Sequence, residues 1–369
     1  MLAELERHPN ARAVLGPALA PGGSPSHAYL FHGSGGSGKT AVARAFAADL
    51  LAAGETDPES ARRRALAGTH PDLTWVVPSG AHEILVSDID EPVVAAASKT
   101  PFESSRRVFV IESADQLGDE AANRMLKTLE EPASFVHLIL ITDRLGDVLP
   151  TIRSRCQAVR FDPPPPEEIA AELEAAGTPH ESATALARLS LGDAGRAREL
   201  ATAEGVALRE GAERYARGVL HGRAASSALW AALLESVRAR GERLRQELED
   251  ESAAALELYP RKERKRAETE WTDRIRRARR RVETGALDLA LTLVAAWLLD
   301  LAALSWGAED LVRNADRLDL LQEDAGVDPQ RLRRGVELIE ETRLRFPLNV
   351  SEELACEALA YRLEQALTG

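Results

Sequence analysis

The stretch GSGGSGKT, Gly33 to Thr40, constrains this chain more than any other. It fits G-x-x-x-x-G-K-[ST], with the apolar run AYLFH before it and the helix-forming TAVARAFAADLL after it. Gly33, Gly35, Gly36 and Gly38 let the backbone turn its N–H groups onto a β-phosphate. Lys39 brings a cation to the β- and γ-phosphates, and Thr40 a hydroxyl to magnesium. Strand, loop and helix in that order also set the anion at a helix N-terminus, where the helix dipole favours it. ATP or ADP with Mg is the expected ligand. The competing reading is a loop that keeps its shape but has lost its ligand.

Short apolar runs recur after the loop: LTWVV at 73–77, VFVI at 108–111 and VHLILIT at 136–142. Strands alternating with helical stretches predict an α/β fold, a mostly parallel sheet with helices on both faces. The run DPPPPEE, Asp162 to Glu168, removes successive backbone donors and ends that pattern. Beyond it PEEIAAELEAAG, HESATALARLSLG and DAGRARELATAEG read as three short helices, and everything from 207 onward reads as helical. The expected division is a P-loop nucleotide-binding domain over 1–162, a small helical lid over 163–206 and an all-α C-terminal collar or oligomerisation domain over 207–369. A chain of 369 residues has room for two or three domains.

The stretch VFVIESAD, 108–115, should end in the acidic pair that holds magnesium and activates water. It ends in Glu112 and Ser113. Glu112 can serve as the metal-side carboxylate, with Thr40 as the second Mg ligand. A serine hydroxyl cannot take a proton at neutral pH without a base of its own. The alternative is that Asp115, or a residue from elsewhere, acts as the base.

The segments HAYLFHG (27–33), THPDL (69–73), AANRMLKTLEEP (121–132), LILITD and TIRSRC (151–156) together resemble the clamp-loader branch of the AAA+ ATPases. The resemblance implies an AAA+ P-loop domain followed by lid and collar. It also implies that Arg155 is an arginine finger acting in trans on a neighbouring subunit's nucleotide, and that Thr142 senses the γ-phosphate. The alternative for Arg155 is a salt bridge within its own chain. Where active family members carry a second sensing arginine in the lid, this chain has Gly195, with Arg196 one residue away. Many relatives carry a four-cysteine zinc module between the loop helix and the His70-Pro71-Asp72 turn. This interval has no cysteine, so zinc is not expected.

What the resemblance implies for function is a stator-like clamp-loader subunit of the DNA polymerase III holoenzyme in DNA replication. Such a subunit binds ATP but does not hydrolyse it efficiently, and any polymerase activity belongs to the assembly. Its partners would be gamma/tau-type ATPase and delta subunits, the sliding clamp and, through the complex, primed DNA. Two alternatives stay open: an active gamma/tau-like ATPase, and a nucleotide-independent ring scaffold.

A net charge of −13 argues against a dedicated DNA-binding module and confines any nucleic-acid contact to a local basic surface. The one basic run is RKERKRAETEWTDRIRRARRR, 261–281, with eleven Lys/Arg against four acids. It reads either as a solvated helix face or as a polyanion site, and Trp271 within it as a packing anchor. Cys156 and Cys356 stand far apart, which points to a reducing compartment, and a cytoplasmic location is expected. The N-terminal stretch lacks a signal-peptide core. The apolar LDLALTLVAAWLLDLAAL carries Asp288 and Asp300, so it reads as a buried helix, and no membrane association is expected.

Overall fold

β-branched residues and leucine dominate the runs 108–111 and 136–142, and in the computed structural model both form central strands of one sheet. The structure describes residues 5–20, 22–78, 83–257, 261–346 and 351–368, without the side chains of 254, 255, 257, 261–263, 266 and 270. The first four residues of the N-terminal stretch and part of the basic run therefore lie outside the described residues. The chain divides into two compact units, Met1–Pro164 and Pro165–Gly369, and the division falls inside the proline run.

The first unit holds β1 (Ala28–His32), β2 (Leu73–Val76), β3 (Arg107–Ile111), β4 (Val136–Thr142) and β5 (Gln157–Arg160). All neighbouring strands are parallel, in the order β2-β3-β4-β1-β5. Every residue of β4 is buried, as a strand covered on both faces requires. Alternate side chains enter two cores: Leu30, Phe109 and Leu138 go one way, and Tyr29, Val108 and Ile139 the other. On the first face pack α4 (Val86–Ile89), α5 (Asp119–Glu130) and α6 (Pro150–Arg153). On the second pack α1 (Pro9–Leu19), α2 (Lys39–Ala52) and α3 (Pro58–Leu66).

The His70-Pro71-Asp72 segment does more than turn the chain into β2. Asp72 is fully buried, and its carboxylate accepts the backbone N–H groups of Phe102 at 2.6 Å and of Glu103 and Ser104 at 2.9 Å. It fastens the segment that leads into β3.

The second unit has helices and no strand among its described residues. It comprises α7 (Pro166–Ala175), α8 (His180–Leu189), α9 (Ala194–Ala201), α10 (Ala203–Leu220), α11 (Leu229–Glu257), α12 (Arg261–Ser305), α13 (Leu318–Glu323), α14 (Pro329–Arg343) and α15 (Glu352–Thr368). Asp193 caps α9 by accepting from the Arg196 N–H, and Thr202 caps α10 by accepting from the Gly205 N–H. One hydrophobic core runs from Ile169 on α7 to Leu367 on α15, and residue 206 lies inside α10. The second half of α12 is long and apolar enough to cross a membrane, yet 78% of that window is buried inside the unit. There Trp297 donates to Asp324 at 3.2 Å, and the buried Asp300 accepts the N–H groups of Arg313 and Asn314. These are the contacts of a core helix.

Candidate nucleotide-binding site

The carboxyl ends of β3, β4 and β1 lie side by side, and the loops that leave them make the site. In open parallel sheets that edge is where ligands are held. After β1 the loop 33–38 leads straight into α2. Gly36 and Gly38 have φ of 68° and 81°, the left-handed region that glycine enters without strain. A Cβ on Gly38 would also press on the His8 ring, 3.1 Å from Nε2. Gly33 lies against the Phe161 carbonyl, and Gly35 sits between it and the Gly36 turn.

Within the loop the Ser34 and Ser37 hydroxyls are buried with no hydrogen-bond partner among the described residues. Orphaned hydroxyls beside a cationic lysine suit a ligand rich in acceptor oxygens, so the loop fits a nucleotide phosphate. Lys39 is only 4% exposed. It donates to the Ser34 carbonyl at 2.8 Å and is ion-paired with Asp143, whose side chain is 59% exposed. Lys39 would hold the β- and γ-phosphates and Thr40 a magnesium ion, whose chemistry is to neutralise charge on the phosphate oxygens.

Beside Thr40 lies a cavity of about 200 Å³ lined by Glu112, Ser113, Asp115, Gln116, Thr142, Asp143 and Arg144. Its carboxylates are engaged. Glu112 accepts from the Trp75 indole N–H at 2.7 Å, and the Arg44 guanidinium lies 4.3 Å over the same ring. Asp115 accepts from the Thr142 hydroxyl at 2.6 Å and from Arg144 through two nitrogens, at 2.9 and 3.2 Å. Ser113 has φ of 53°, the left-handed conformation, where the chain leaves β3.

The structure thus brings Gly33 to Thr40, Glu112 and Thr142 to one edge. Arg155 lies outside the cavity lining, next to β5. It is ion-paired with Glu130 of its own chain and donates to the Thr151 carbonyl at 2.9 Å. Beside it Cys156 is half-buried, and burial pushes its thiol up to about 12, which keeps it protonated and unreactive. In the second unit the Gly195 and Arg196 positions form the start of α9, with the Arg196 N–H on the Asp193 cap. Trp75, Asp143, Arg144 and His8 were not foreseen. Asp143 and Arg144 follow β4 directly, so their proximity to a strand end was the available signal.

Residues 14–165 match the family described as DNA polymerase III, delta subunit. The chain is also similar to delta-prime subunits. It is 40% identical over 148 residues to the DNA polymerase III subunit delta' of Bacillus subtilis, covering 39% of this chain and 44% of that protein. Against subunit delta' of Pseudomonas aeruginosa it is 37% identical over 169 residues, 44% of this chain and 51% of the relative. Against subunit gamma/tau of Mycobacterium tuberculosis it is 31% identical over 182 residues, 46% of this chain and 30% of the relative. The matches span about half or less of these relatives. The family match spans all five strands and the site residues from Gly33 to Arg144, and leaves out His8.

Proposed function

We infer that the chain is a stator-like clamp-loader subunit of the DNA polymerase III assembly, an AAA+ protein that binds ATP or ADP with Mg and hydrolyses it poorly. The observation that carries this reading is the commitment of the two carboxylates that follow β3. Glu112 is held by Trp75 and Asp115 by Thr142 and Arg144, while Ser113 stands where the water-activating carboxylate is expected. A general base must reach the attacking water. The orphaned loop hydroxyls support retention of nucleotide; the engaged carboxylates support its survival.

In this reading residues 1–162 are the nucleotide-binding domain, and the lid (163–206) and collar (207–369) are two functional parts of one packed body. Partners are gamma/tau-type ATPase and delta subunits, the sliding clamp and primed DNA, in the cytoplasm. Arg155 serves a neighbour's nucleotide. Its bond to Glu130 is a half-exposed ion pair, worth about 0–1 kcal/mol, so a phosphate can displace the carboxylate. An arginine finger contributes roughly 10³ to 10⁵ in rate in other systems.

A single-turnover ATP assay on the isolated chain, with bound nucleotide quantified in the same sample, tests the reading. Retained, unhydrolysed ATP supports it. Robust turnover lost in Lys39→Ala would place the chain with the gamma/tau-like ATPases, and no binding at all would make it a nucleotide-independent scaffold. In a reconstituted complex, Arg155→Ala should depress turnover by the partner ATPases; unchanged turnover removes the finger role.

A further inference from the structure

α12 ends at Ser305, and the way it ends holds out an apolar tip. Gly307 has φ of 67°, the left-handed conformation that closes a helix. Its N–H reaches the Leu304 carbonyl at 3.0 Å, and the Ala308 N–H reaches the Ala303 carbonyl at 2.9 Å. Two bonds of this kind satisfy the last carbonyls of a helix. The Trp306 side chain takes no part in the closure. It is 74% exposed and has no hydrogen-bond or ring partner among the described residues.

Leu311, on the turn that follows, is 70% exposed, and Leu299 is exposed as well. Leu299 precedes Trp306 by seven residues, which places it about 20° from Trp306 around the helix and about 10 Å along it. One exposed leucine is ordinary; a tryptophan and two leucines at one helix end are a patch. The segment behind the patch is tied down. The Val312 carbonyl accepts from Arg188 at 2.8 Å, and the buried Asp300 carboxylate accepts the N–H groups of Arg313 at 3.0 Å and Asn314 at 2.8 Å. A tip fastened in this way loses little freedom when a partner covers it.

Its charge is uncompensated. Glu309 and Asp310 are exposed between Trp306 and Leu311, with no ion pair among the described residues. The helix dipole favours cations at this end, yet the last turn of α12 has no basic residue. The arginines that follow are engaged elsewhere, Arg313 with Asp300 and Arg317 with Glu213 and Asp316. Two free carboxylates beside a helix C-terminus repel phosphate polymers and anionic bilayers, and they complement lysine or arginine on a protein surface. Tryptophan is among the side chains that anchor protein interfaces.

We propose that the tip formed by Leu299, Trp306 and Leu311 docks in an apolar pocket, edged by lysine or arginine, on a neighbouring clamp-loader subunit, with Glu309 and Asp310 meeting those cations. The proposal rests on the clamp-loader reading and deepens it, because it names the side chains through which this chain is held.

The test uses the full chain, fluorescently labelled, with the gamma/tau-type ATPase and delta subunits of the same organism, and follows association by sedimentation velocity. Wild type is expected to join the assembly, more weakly as sodium chloride is raised. Trp306→Ala/Leu311→Ala should raise the Kd at least about tenfold. Glu309→Gln/Asp310→Gln should raise it less and flatten the salt dependence. Circular dichroism and thermal melting should be the same for all three chains, since the altered side chains are exposed. Independently of any loss of affinity, Trp306→p-benzoylphenylalanine should cross-link under ultraviolet light to a partner subunit at a segment containing lysine or arginine. An unchanged Kd in Trp306→Ala/Leu311→Ala overturns the proposal and leaves the clamp-loader reading standing. So does a cross-linker at 306 that captures no subunit within an intact assembly, and so does an unchanged Kd and salt dependence in Glu309→Gln/Asp310→Gln. A wild-type chain that joins no assembly overturns both.

Discussion

Lys39 of the phosphate loop is ion-paired with Asp143, the residue immediately after β4, so a carboxylate of the chain itself sits where phosphate charge would be received. An incoming nucleotide must displace Asp143 and then sit beside it. Asp143→Asn removes both the competitor and the repulsion, and the gain should be about 1 kcal/mol, roughly fivefold in Kd for ATP. Titration with a fluorescent ATP analogue checks this. An unchanged or weaker affinity would mean that Asp143 helps to organise the loop.

Trp75 holds Glu112 by a hydrogen bond from its indole N–H. Trp75→Phe keeps a ring under Arg44 but removes the donor. Stability should fall by about 1 kcal/mol in urea denaturation. Because Glu112 is then available to a cation, the increase in nucleotide affinity on adding Mg should be larger in the variant than in wild type.

His137 is buried in β4, stacked on His27, with its Nδ1 2.9 Å from the Ser26 carbonyl. Burial first, and the nearby charge of Arg106 second, lower its pKa to about 4. The unfolded chain therefore takes up this proton before the folded one does. Stability should be intact above pH 6.5 and fall by about 3 kcal/mol as the pH drops from 6.5 to 4. Burial shifts His8, His32 and His70 in the same direction, which steepens the fall. Thermal melts across that range check the trend. In His137→Asn the slope should be shallower.

Asp72 takes three backbone N–H groups on one buried carboxylate. Burial raises its pKa, but the three donors outweigh that and leave the pKa lowered. Its contribution is present above the ordinary carboxylate range and is lost as the pH falls through the lowered value. Asp72→Asn sets an amide N–H against donors it cannot serve, and should cost about 3 kcal/mol by denaturant titration at neutral pH.

Much of the first unit was legible because its signals are local. A run rich in β-branched residues such as VHLILIT, and a glycine loop set between strand and helix, need no knowledge of neighbours. The position of Ser113 after β3 could be read for the same reason. Trp75 and Asp143 could not be placed in this way. The Trp75 contact with Glu112 depends on β2 lying beside β3, and the Asp143 contact with Lys39 on β4 lying beside β1. Each joins residues far apart in sequence, and the order β2-β3-β4-β1-β5 is set by packing. Asp72 read as part of a turn because its three partners lie about thirty residues downstream, in a segment with no pattern of its own.

The core that runs unbroken from Ile169 to Leu367 bears on how this protein can be dissected. A chain ended at residue 206 would cut through α10 and leave Ile169, Leu186 and Leu200 facing water. Heated or treated with denaturant, residues 165–369 should melt in one cooperative step, their short helices giving way together with the long ones. A workable boundary for expressing the two units separately lies among the prolines at 163–166, and nowhere within the helices beyond them.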